Sequence, residues 1–150
     1  MHNDEHIDDK LSGTTAISVL MCDRTIFVSN IGDSRAVLLT SVVNKNVTFK
    51  QKLKLNASAL SSDQTPYRAD ERERVKKCGA RVMSTDQLEG IEPMHENWGD
   101  VVLGEDIDEG GDPPRIWHAT GGYPGCAFTR SIGDAVAETL GVIAEPEILE

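Results

Sequence analysis

The N-terminal part of the chain alternates between apolar extended runs and short turns, and this pattern constrains the fold more than any other sequence feature. Residues 15–21 are rich in β-branched side chains, Cys22-Asp23-Arg24 predicts a tight turn, and the extended pattern resumes at 25–30. Further strands are predicted at 35–43 and 47–55. Because short turns join antiparallel neighbours, we predict a β-meander.

The rest of the chain predicts short helices and strands. Residues 67–78 are charged and contain no helix breaker, and Gly79 follows them, which predicts a short surface helix that ends at this glycine. Brief strands are predicted at 80–83 and 115–117. Ser131 is expected to cap a helix that continues to residue 140.

The net charge of −10, from 15 basic and 25 acidic residues, is concentrated in residues 82–114. This stretch contains no Lys or Arg, and its glycines and prolines predict a long irregular loop. Its carboxylates are Asp86, Glu89, Glu92, Glu96, Asp100, Glu105, Asp106, Asp108, Glu109 and Asp112. The remainder is charge-balanced, so neither a nucleic-acid nor a membrane partner is expected.

Residues 106–110 of the acidic stretch invite comparison with a calcium loop. An EF-hand loop has a bidentate Glu at its twelfth position, where Trp117 stands in this sequence. A solvated acidic loop is therefore the preferred interpretation, and weak cation binding by the clustered carboxylates is left open.

The composition and the cysteines indicate an ordinary folded domain in a reducing compartment. The chain is 39% hydrophobic and 27% charged, unlike a disordered tail, and no apolar run approaches the ~20 residues of a membrane helix. Residues 1–6 lack the features of a signal peptide. The cysteines, which form no C-x-x-C pair, are expected to be buried thiols. We expect the protein in the cytoplasm or the nucleus.

Two segments, 12–16 and 31–36, place glycine and small hydroxyl residues at the edge of an apolar strand. Such positions let the backbone approach a neighbour or a ligand closely. Asp33 follows Gly32, so its carboxylate could point into a site, although spacing alone favours a turn aspartate without a ligand. Asp134 is expected in the first turn of the last helix, where the helix dipole stabilises a carboxylate without any function.

Together, these segments resemble the metal-dependent serine/threonine protein phosphatases of type 2C. The matching segments, in the family's order, are Ser12-Gly13-Thr14-Thr15-Ala16, Gly32-Asp33-Ser34-Arg35-Ala36, Ser62-Asp63-Gln64-Thr65-Pro66, Asp70-Glu71-Arg72-Glu73-Arg74-Val75, Cys78-Gly79-Ala80-Arg81-Val82, Phe128-Thr129-Arg130-Ser131-Ile132-Gly133-Asp134 and Ala144-Glu145-Pro146-Glu147-Ile148. Residues 111–117 and 123–128 resemble the long-looped branch of plants and protists, in which the phosphatase is fused to cyclic-nucleotide-binding and kinase-like domains.

The resemblance implies an α/β fold, a four-layer α-β-β-α sandwich of two antiparallel sheets, with two Mg²⁺ or Mn²⁺ ions at one end. It implies that a hydroxide held by these ions attacks the phosphoserine or phosphothreonine of a phosphoprotein substrate. Asp33 resembles the family's ligand for a third, weaker metal ion. The residues that match supporting motifs are Gly13, Thr14, Gly32, Ser34, Arg35, Arg130, Ser131, Gly133 and Asp134.

The sequence also departs from the family pattern. The early Asp-Gly-His-Gly motif and the late Asp-Gly and Asp-Asn motifs, which hold the two core metals, are absent, so no complete catalytic set is expected. We therefore expect residues 1–150 to be an internal portion of the phosphatase domain, inactive alone, with an acidic flap insertion at about 82–125 that favours basic substrates or a basic partner. A pseudophosphatase or regulatory binding module, and an unrelated α/β binding domain without metal, are the alternatives.

Overall fold

The computed structural model describes residues 2, 4–42, 54–99 and 112–150 of the chain. The strands in these ranges are β1 (Gly13–Thr14), β2 (Ala16–Cys22), β3 (Thr25–Ile31), β4 (Val37–Val42), β5 (Lys54–Ala59), β6 (Arg81–Met83), β7 (Arg115–Trp117), β8 (Pro124–Cys126), β9 (Ile132–Gly133) and β10 (Glu147–Leu149). The helices are α1 (Ala69–Lys77), α2 (Thr85–Leu88) and α3 (Ala135–Glu138).

Strands β2 and β3 form the predicted hairpin, paired from Ala16–Ile31 to Cys22–Thr25, with Asp23 in the left-handed region of the turn. Strand β10 pairs with the other edge of β3 to complete a three-stranded sheet. The predicted meander is wrong beyond this point, because β4 pairs with β5 and not with β3 in the described part of the chain. The chain bends at 32–34 between the two pairs.

Strand β5 was predicted only to residue 55 but continues to Ala59. The predicted turn at 44–46 and most of the predicted strand at 47–55 lie outside the described residues.

Helix α1 confirms the helix predicted at 67–78. Acidic residues occupy its first turn and basic residues its last turn, the arrangement that the helix dipole favours, and Gly79 follows it with a φ of 90°. The helix is more than a surface element, since Val75 and Glu71 are fully buried. The apolar core around it consists of Val75, Ala80, Val82, Ile116, Ala137, Leu140 and Val142.

Strands β6, β7 and β8 form a second three-stranded antiparallel sheet, which confirms the strands predicted at 80–83 and 115–117. Trp117 Nε1 donates a hydrogen bond of 2.8 Å to the Met83 carbonyl oxygen. The sheet therefore joins the two ends of the acidic stretch.

Between β6 and β7, the predicted loop begins with the short helix α2. Ser84 caps it, because the Ser84 hydroxyl accepts a 3.0 Å hydrogen bond from the Gln87 N–H in a capping box. Residues 91–99 are irregular, as predicted, and residues 106–110 lie outside the described part.

The prediction of a helix from Ser131 to residue 140 is wrong, because α3 begins at Ala135. The preceding residues are held in extended conformation: Ile132 and Gly133 pair with β1, and Arg130 forms a parallel bridge with Ile143. The residue at the N-cap is Asp134, in the left-handed region with a φ of 55°.

The predicted class, a mixed α/β fold built on antiparallel sheets, is confirmed. Among the described helices, none has the length and apolar character to cross a membrane. The expectation of buried thiols is wrong for Cys22 and Cys78, which are exposed where β2 and α1 end, whereas Cys126 is partly buried.

Candidate functional site

The first motif, residues 12–16, and the motif at residues 128–134, called the last motif, meet in a short antiparallel ladder. Gly13 of β1 lies opposite Gly133 of β9, and the Asp134 N–H donates a 2.8 Å hydrogen bond to the Ser12 carbonyl oxygen. The Ser131 hydroxyl donates to Asp134 Oδ2 at 2.6 Å. The two motifs, which are more than a hundred residues apart in sequence, therefore form one local structure.

Two glycines allow this close approach. A Cβ at Gly13 would lie 2.0 Å from Asp134 Oδ2 and 2.5 Å from Ser131 Oγ, so a side chain at this position would force both neighbouring side chains to move. Gly32 has a φ of 93°, and a Cβ there would lie 2.3 Å from Thr15 Cγ2 and 3.1 Å from the Arg130 carbonyl oxygen. Gly32 therefore brings the second motif against both the first and the last.

Asp33 lies at this junction with an exposed side chain, and its carboxylate has no hydrogen-bond or ion-pair partner among the described residues. Its neighbour Ser34 is held by a 2.8 Å hydrogen bond between the Ser34 and Thr15 hydroxyls. Burial raises the pKa of the Cys126 thiol to about 12, and the negative charges of Asp134 and Asp33 add to this rise. Both carboxylates therefore contribute to the electrostatic environment of the same thiol.

Arg35 is directed to a different partner. Its guanidinium forms a two-point ion pair with Asp63, with Nε–Oδ1 and Nη2–Oδ2 distances of 2.9 and 3.0 Å. This pair fixes the bend at 32–34 to the segment after β5.

Gln64 is fully buried and connects three segments of the site. Its Oε1 accepts a 2.6 Å hydrogen bond from the Gly32 N–H, and its Nε2 donates to the Asn30 carbonyl oxygen at 3.1 Å. Its own carbonyl oxygen accepts a 2.8 Å hydrogen bond from the Thr129 N–H. No role is predicted for Gln64 from the sequence, although this residue lies in one of the matching segments.

Glu71, a second residue without a predicted role, lies at the centre of a buried ion network. Its carboxylate accepts hydrogen bonds of 2.8 Å from Arg74 Nη2 and Arg130 Nη2 and a further bond from the Thr129 hydroxyl. Burial alone would raise the pKa of Glu71, but the bonds from Arg74, Arg130 and Thr129 outweigh it and lower the pKa to about 2. Glu71 is therefore ionised at neutral pH.

The network continues through Glu147 to Arg68 and Asp70. Arg130 Nη2 lies 3.0 Å from Glu147 Oε1, and Arg68 contacts both Glu147, at 2.8 Å, and Asp70, at 2.7 Å. The hydrogen bond from Arg68 holds the pKa of Glu147 below its usual range.

Asp70, Glu71 and Glu147 have ligand atoms within 4.8 Å of one another, an arrangement that could hold a metal ion. Each carboxylate already binds an arginine, so a cation would have to displace Arg68 or Arg130. We therefore assign this cluster to structural ion pairing.

The donor set around Asp33 suits part of a metal site. Carboxylate oxygens are the ligands that Mg²⁺ and Mn²⁺ prefer, and the segments that meet here carry two carboxylates, Asp33 and Asp134, neither of which has a basic partner among the described residues. Within the described ranges, neither aspartate belongs to a cluster of three His, Cys, Asp or Glu side chains close enough to share a metal ion. The described residues thus fit a share of a metal site but not a binuclear centre.

Comparison with known proteins shows which proteins the chain resembles. The family model described as protein phosphatase 2C matches residues 1–150. The chain is 52% identical over 147 residues to probable protein phosphatase 2C 35 of Arabidopsis thaliana, covering 97% of the chain and 38% of that protein. It is 30% identical over 143 residues to probable protein phosphatase 2C 75 of Oryza sativa subsp. japonica, covering 95% and 26%.

A solved structure extends the likeness to the fold. The chain matches the serine-threonine phosphatase 2C from Toxoplasma gondii with a TM-score of 0.58 and 16% identity, over 91% of this chain and 36% of that one. The chain thus spans well under half the length of these relatives.

Proposed function

The chain belongs to the protein phosphatase 2C family, and from that premise we propose that residues 1–150 form an internal portion of a domain that hydrolyses phosphoserine and phosphothreonine in proteins. The observation that supports the proposal is the meeting of the three motifs, which brings the segments that carry Asp33 and Asp134 together. Their carboxylates are left without basic partners among the described residues, as a cation site requires.

Each residue has a defined role in this proposal. Mg²⁺ or Mn²⁺, when bound, would activate water and neutralise the phosphoryl oxygens. Asp33 would supply a carboxylate to the weaker ion, and the Ser34–Thr15 hydrogen bond would hold the bend that carries it. Asp134 would lie beside Asp33. The hydrogen bond from the Ser131 hydroxyl would orient its carboxylate, and Gly13 leaves room for it because it has no side chain.

The test uses the full-length protein that contains this chain and a phosphothreonine peptide. We expect hydrolysis that requires Mn²⁺ or Mg²⁺ and stops on chelation. Asp33→Asn should reduce the rate at limiting metal by about tenfold, the size of effect known for residues that support metal sites. Glu73→Gln, on the exposed face of α1, should leave the rate unchanged. Hydrolysis that persists in excess chelator would refute the proposal.

The isolated chain is proposed to be inactive, because the described residues offer only part of a metal site. Purified residues 1–150 should show no Mn²⁺-dependent turnover of p-nitrophenyl phosphate. Robust turnover by this chain alone would contradict the proposal.

The same incomplete donor set favours a second candidate, in which the fold serves as a pseudophosphatase or a regulatory binding module. The full-length protein decides between the two. Phosphopeptide binding without hydrolysis at saturating Mn²⁺ would favour the binding module.

Two finer proposals concern the parent protein. Residues 111–117 and 123–128 resemble the long-looped branch, which supports a parent with cyclic-nucleotide-binding and kinase-like domains. The sequence features described above support a location in the cytoplasm or the nucleus. The sequence of the parent on both sides of this chain tests the first proposal, and fluorescence microscopy of the tagged parent tests the second.

The acidic stretch is proposed to select basic phosphosubstrates or to hold a basic partner domain. Part of this stretch packs against α1. Glu96 forms an ion pair of 2.9 Å with Lys76 of the helix, and Arg72 of the helix donates a 3.0 Å hydrogen bond to the Gly99 carbonyl oxygen. Replacing its Asp and Glu residues with Asn and Gln should change substrate or partner preference more than Mn²⁺ affinity. A change in Mn²⁺ affinity alone would contradict this proposal.

A further inference from the structure

Glu71 is a buried charge that packing alone does not require. Its side chain is 1% exposed, and burying a carboxylate is unfavourable unless it is fully paired. Apolar residues surround the neighbouring position Val75 on the same helix, so a hydrophobic side chain is compatible with this side of α1. The charge at Glu71 therefore calls for an explanation in terms of what it binds.

The partners of Glu71 outside its own helix are consecutive residues of the last motif. The Thr129 hydroxyl donates to Glu71 Oε2, and Arg130 Nη2 donates to Oε1 at 2.8 Å. Arg130 is fixed further by a 2.8 Å bond from Nη1 to the Glu145 carbonyl oxygen. One carboxylate thus helps to hold residues 129–130, together with the hydrogen bond from the Thr129 N–H to the Gln64 carbonyl oxygen and the bridge between Arg130 and Ile143.

Residues 129–131 contact both segments that carry the aspartates of the candidate site. Ser131, the next residue, donates its hydroxyl hydrogen bond to Asp134 Oδ2 at 2.6 Å. The Arg130 carbonyl oxygen lies against Gly32, only 3.1 Å from where a Cβ would be, and Gly32 precedes Asp33. Gln64, which binds the Gly32 N–H, also accepts a hydrogen bond from the Thr129 N–H. A shift of residues 129–131 would therefore disturb the hydrogen bond that orients Asp134 and the packing around the residue that precedes Asp33.

We propose that Glu71 is a positioning residue, whose ion pair with Arg130 and hydrogen bond from Thr129 hold Asp134 and Asp33 in register for binding a divalent cation. The inference rests on the proposed function, because it takes Asp33 as a metal ligand. Glu71 touches neither metal nor substrate and acts through the last motif.

The experiment measures Mn²⁺ binding to the full-length protein by electron paramagnetic resonance of the free ion, together with the melting temperature. The Mn²⁺ sites of interest are those that are present in the wild-type protein and lost in Asp33→Asn. Glu71→Gln, which keeps the shape and loses the charge, should raise the Mn²⁺ dissociation constant of these sites by about tenfold. Glu73→Gln, an exposed glutamate on the same helix, should change neither quantity.

A second control separates positioning from general stability. Val75→Ala removes core packing one turn away on α1 and should lower the melting temperature while leaving Mn²⁺ binding unchanged. Equal weakening of Mn²⁺ binding by Val75→Ala and Glu71→Gln would overturn the inference, as would wild-type binding in Glu71→Gln. If Glu71→Gln fails to fold, Thr129→Val removes only the hydroxyl contact and should still raise the dissociation constant, and an unchanged constant would overturn the inference.

The same measurements distinguish this inference from the proposed function. If the full-length protein hydrolyses no phosphopeptide but Glu71→Gln still weakens Mn²⁺ binding, the proposed function fails and the positioning role stands. If the protein hydrolyses phosphopeptide but Asp33→Asn removes no class of Mn²⁺ site, the function stands and the positioning role is overturned.

Discussion

The low pKa of Glu71 predicts a specific loss of stability in acid. The pKa falls from an ordinary 4.5 to about 2 in the folded chain, because the bonds from its arginine and threonine partners outweigh the effect of burial. At about 1.36 kcal/mol per pH unit, this difference corresponds to about 3 kcal/mol of stability. The folded pKa is the lower one, so this stability is complete above pH 4.5 and is lost as the pH falls toward 2.

The assay compares the wild-type chain with Glu71→Gln by urea denaturation, followed by circular dichroism at pH 7 and pH 3. Protonation of Glu71 alone should lower the free energy of unfolding of the wild-type chain by about 2 kcal/mol at pH 3. The difference in free energy of unfolding between the wild type and Glu71→Gln should therefore be smaller at pH 3 than at pH 7 by that amount. Other carboxylates titrate in both proteins, and their contributions largely cancel in the difference. Glu73→Gln, exposed on the same helix, should show no such change.

If the difference in free energy of unfolding between the two proteins is the same at pH 7 and pH 3, the low pKa of Glu71 is refuted. This result would mean that Glu71 is not held ionised by Arg74, Arg130 and Thr129, and the network would then have a different charge state from the one that the geometry indicates.

Three further predictions follow from close contacts and burial. Gly13→Ala should destabilise the chain by at least about 2 kcal/mol in thermal denaturation, because its Cβ would lie 2.0 Å from Asp134 Oδ2. Gly79→Ala, at a position with a φ of 90° but open space around it, should cost only about 1 kcal/mol, and equal losses in the two variants would contradict the steric argument. Cys22 and Cys78 should react with a thiol reagent at pH 8 well before Cys126, whose pKa is raised to about 12 by burial, as followed by mass spectrometry; simultaneous labelling would contradict the burial of Cys126. Trp117→Phe should cost about 1 kcal/mol, measured in urea, because it leaves the buried Met83 carbonyl oxygen without its partner, and an unchanged midpoint would show that this bond contributes nothing.

The sequence was sufficient where local signals decide the structure. Alternation and turn residues located the β2–β3 hairpin, and charge pattern with Gly79 located α1. The helix predicted to begin at Ser131 was wrong, because pairing of β9 with β1 overrides the local capping signal. No local pattern reports a partner that lies so far away along the chain.

Some residues of the candidate site could be predicted from the sequence, and others could not. Resemblance in motif order indicated Asp33 and Asp134, and the structure brings their segments together. The roles of Gln64 and Glu71 could not be predicted, because both are polar residues whose function comes from burial and from partners in other segments. Only the three-dimensional arrangement shows that Gln64 binds Gly32 and Thr129 together.

The two groups of carboxylates near the last motif differ in how their charge is balanced. Asp70, Glu71 and Glu147 each form an ion pair with an arginine, so their negative charges are balanced within the fold. Asp33 and Asp134 have no such partner among the described residues, although arginines lie within the same motifs. Arg35 is held by Asp63, and Arg130 by Glu71 and Glu147, so neither is available to neutralise the two aspartates. Among the described residues, these ion pairs thus leave the negative charges of Asp33 and Asp134 for a cation to neutralise.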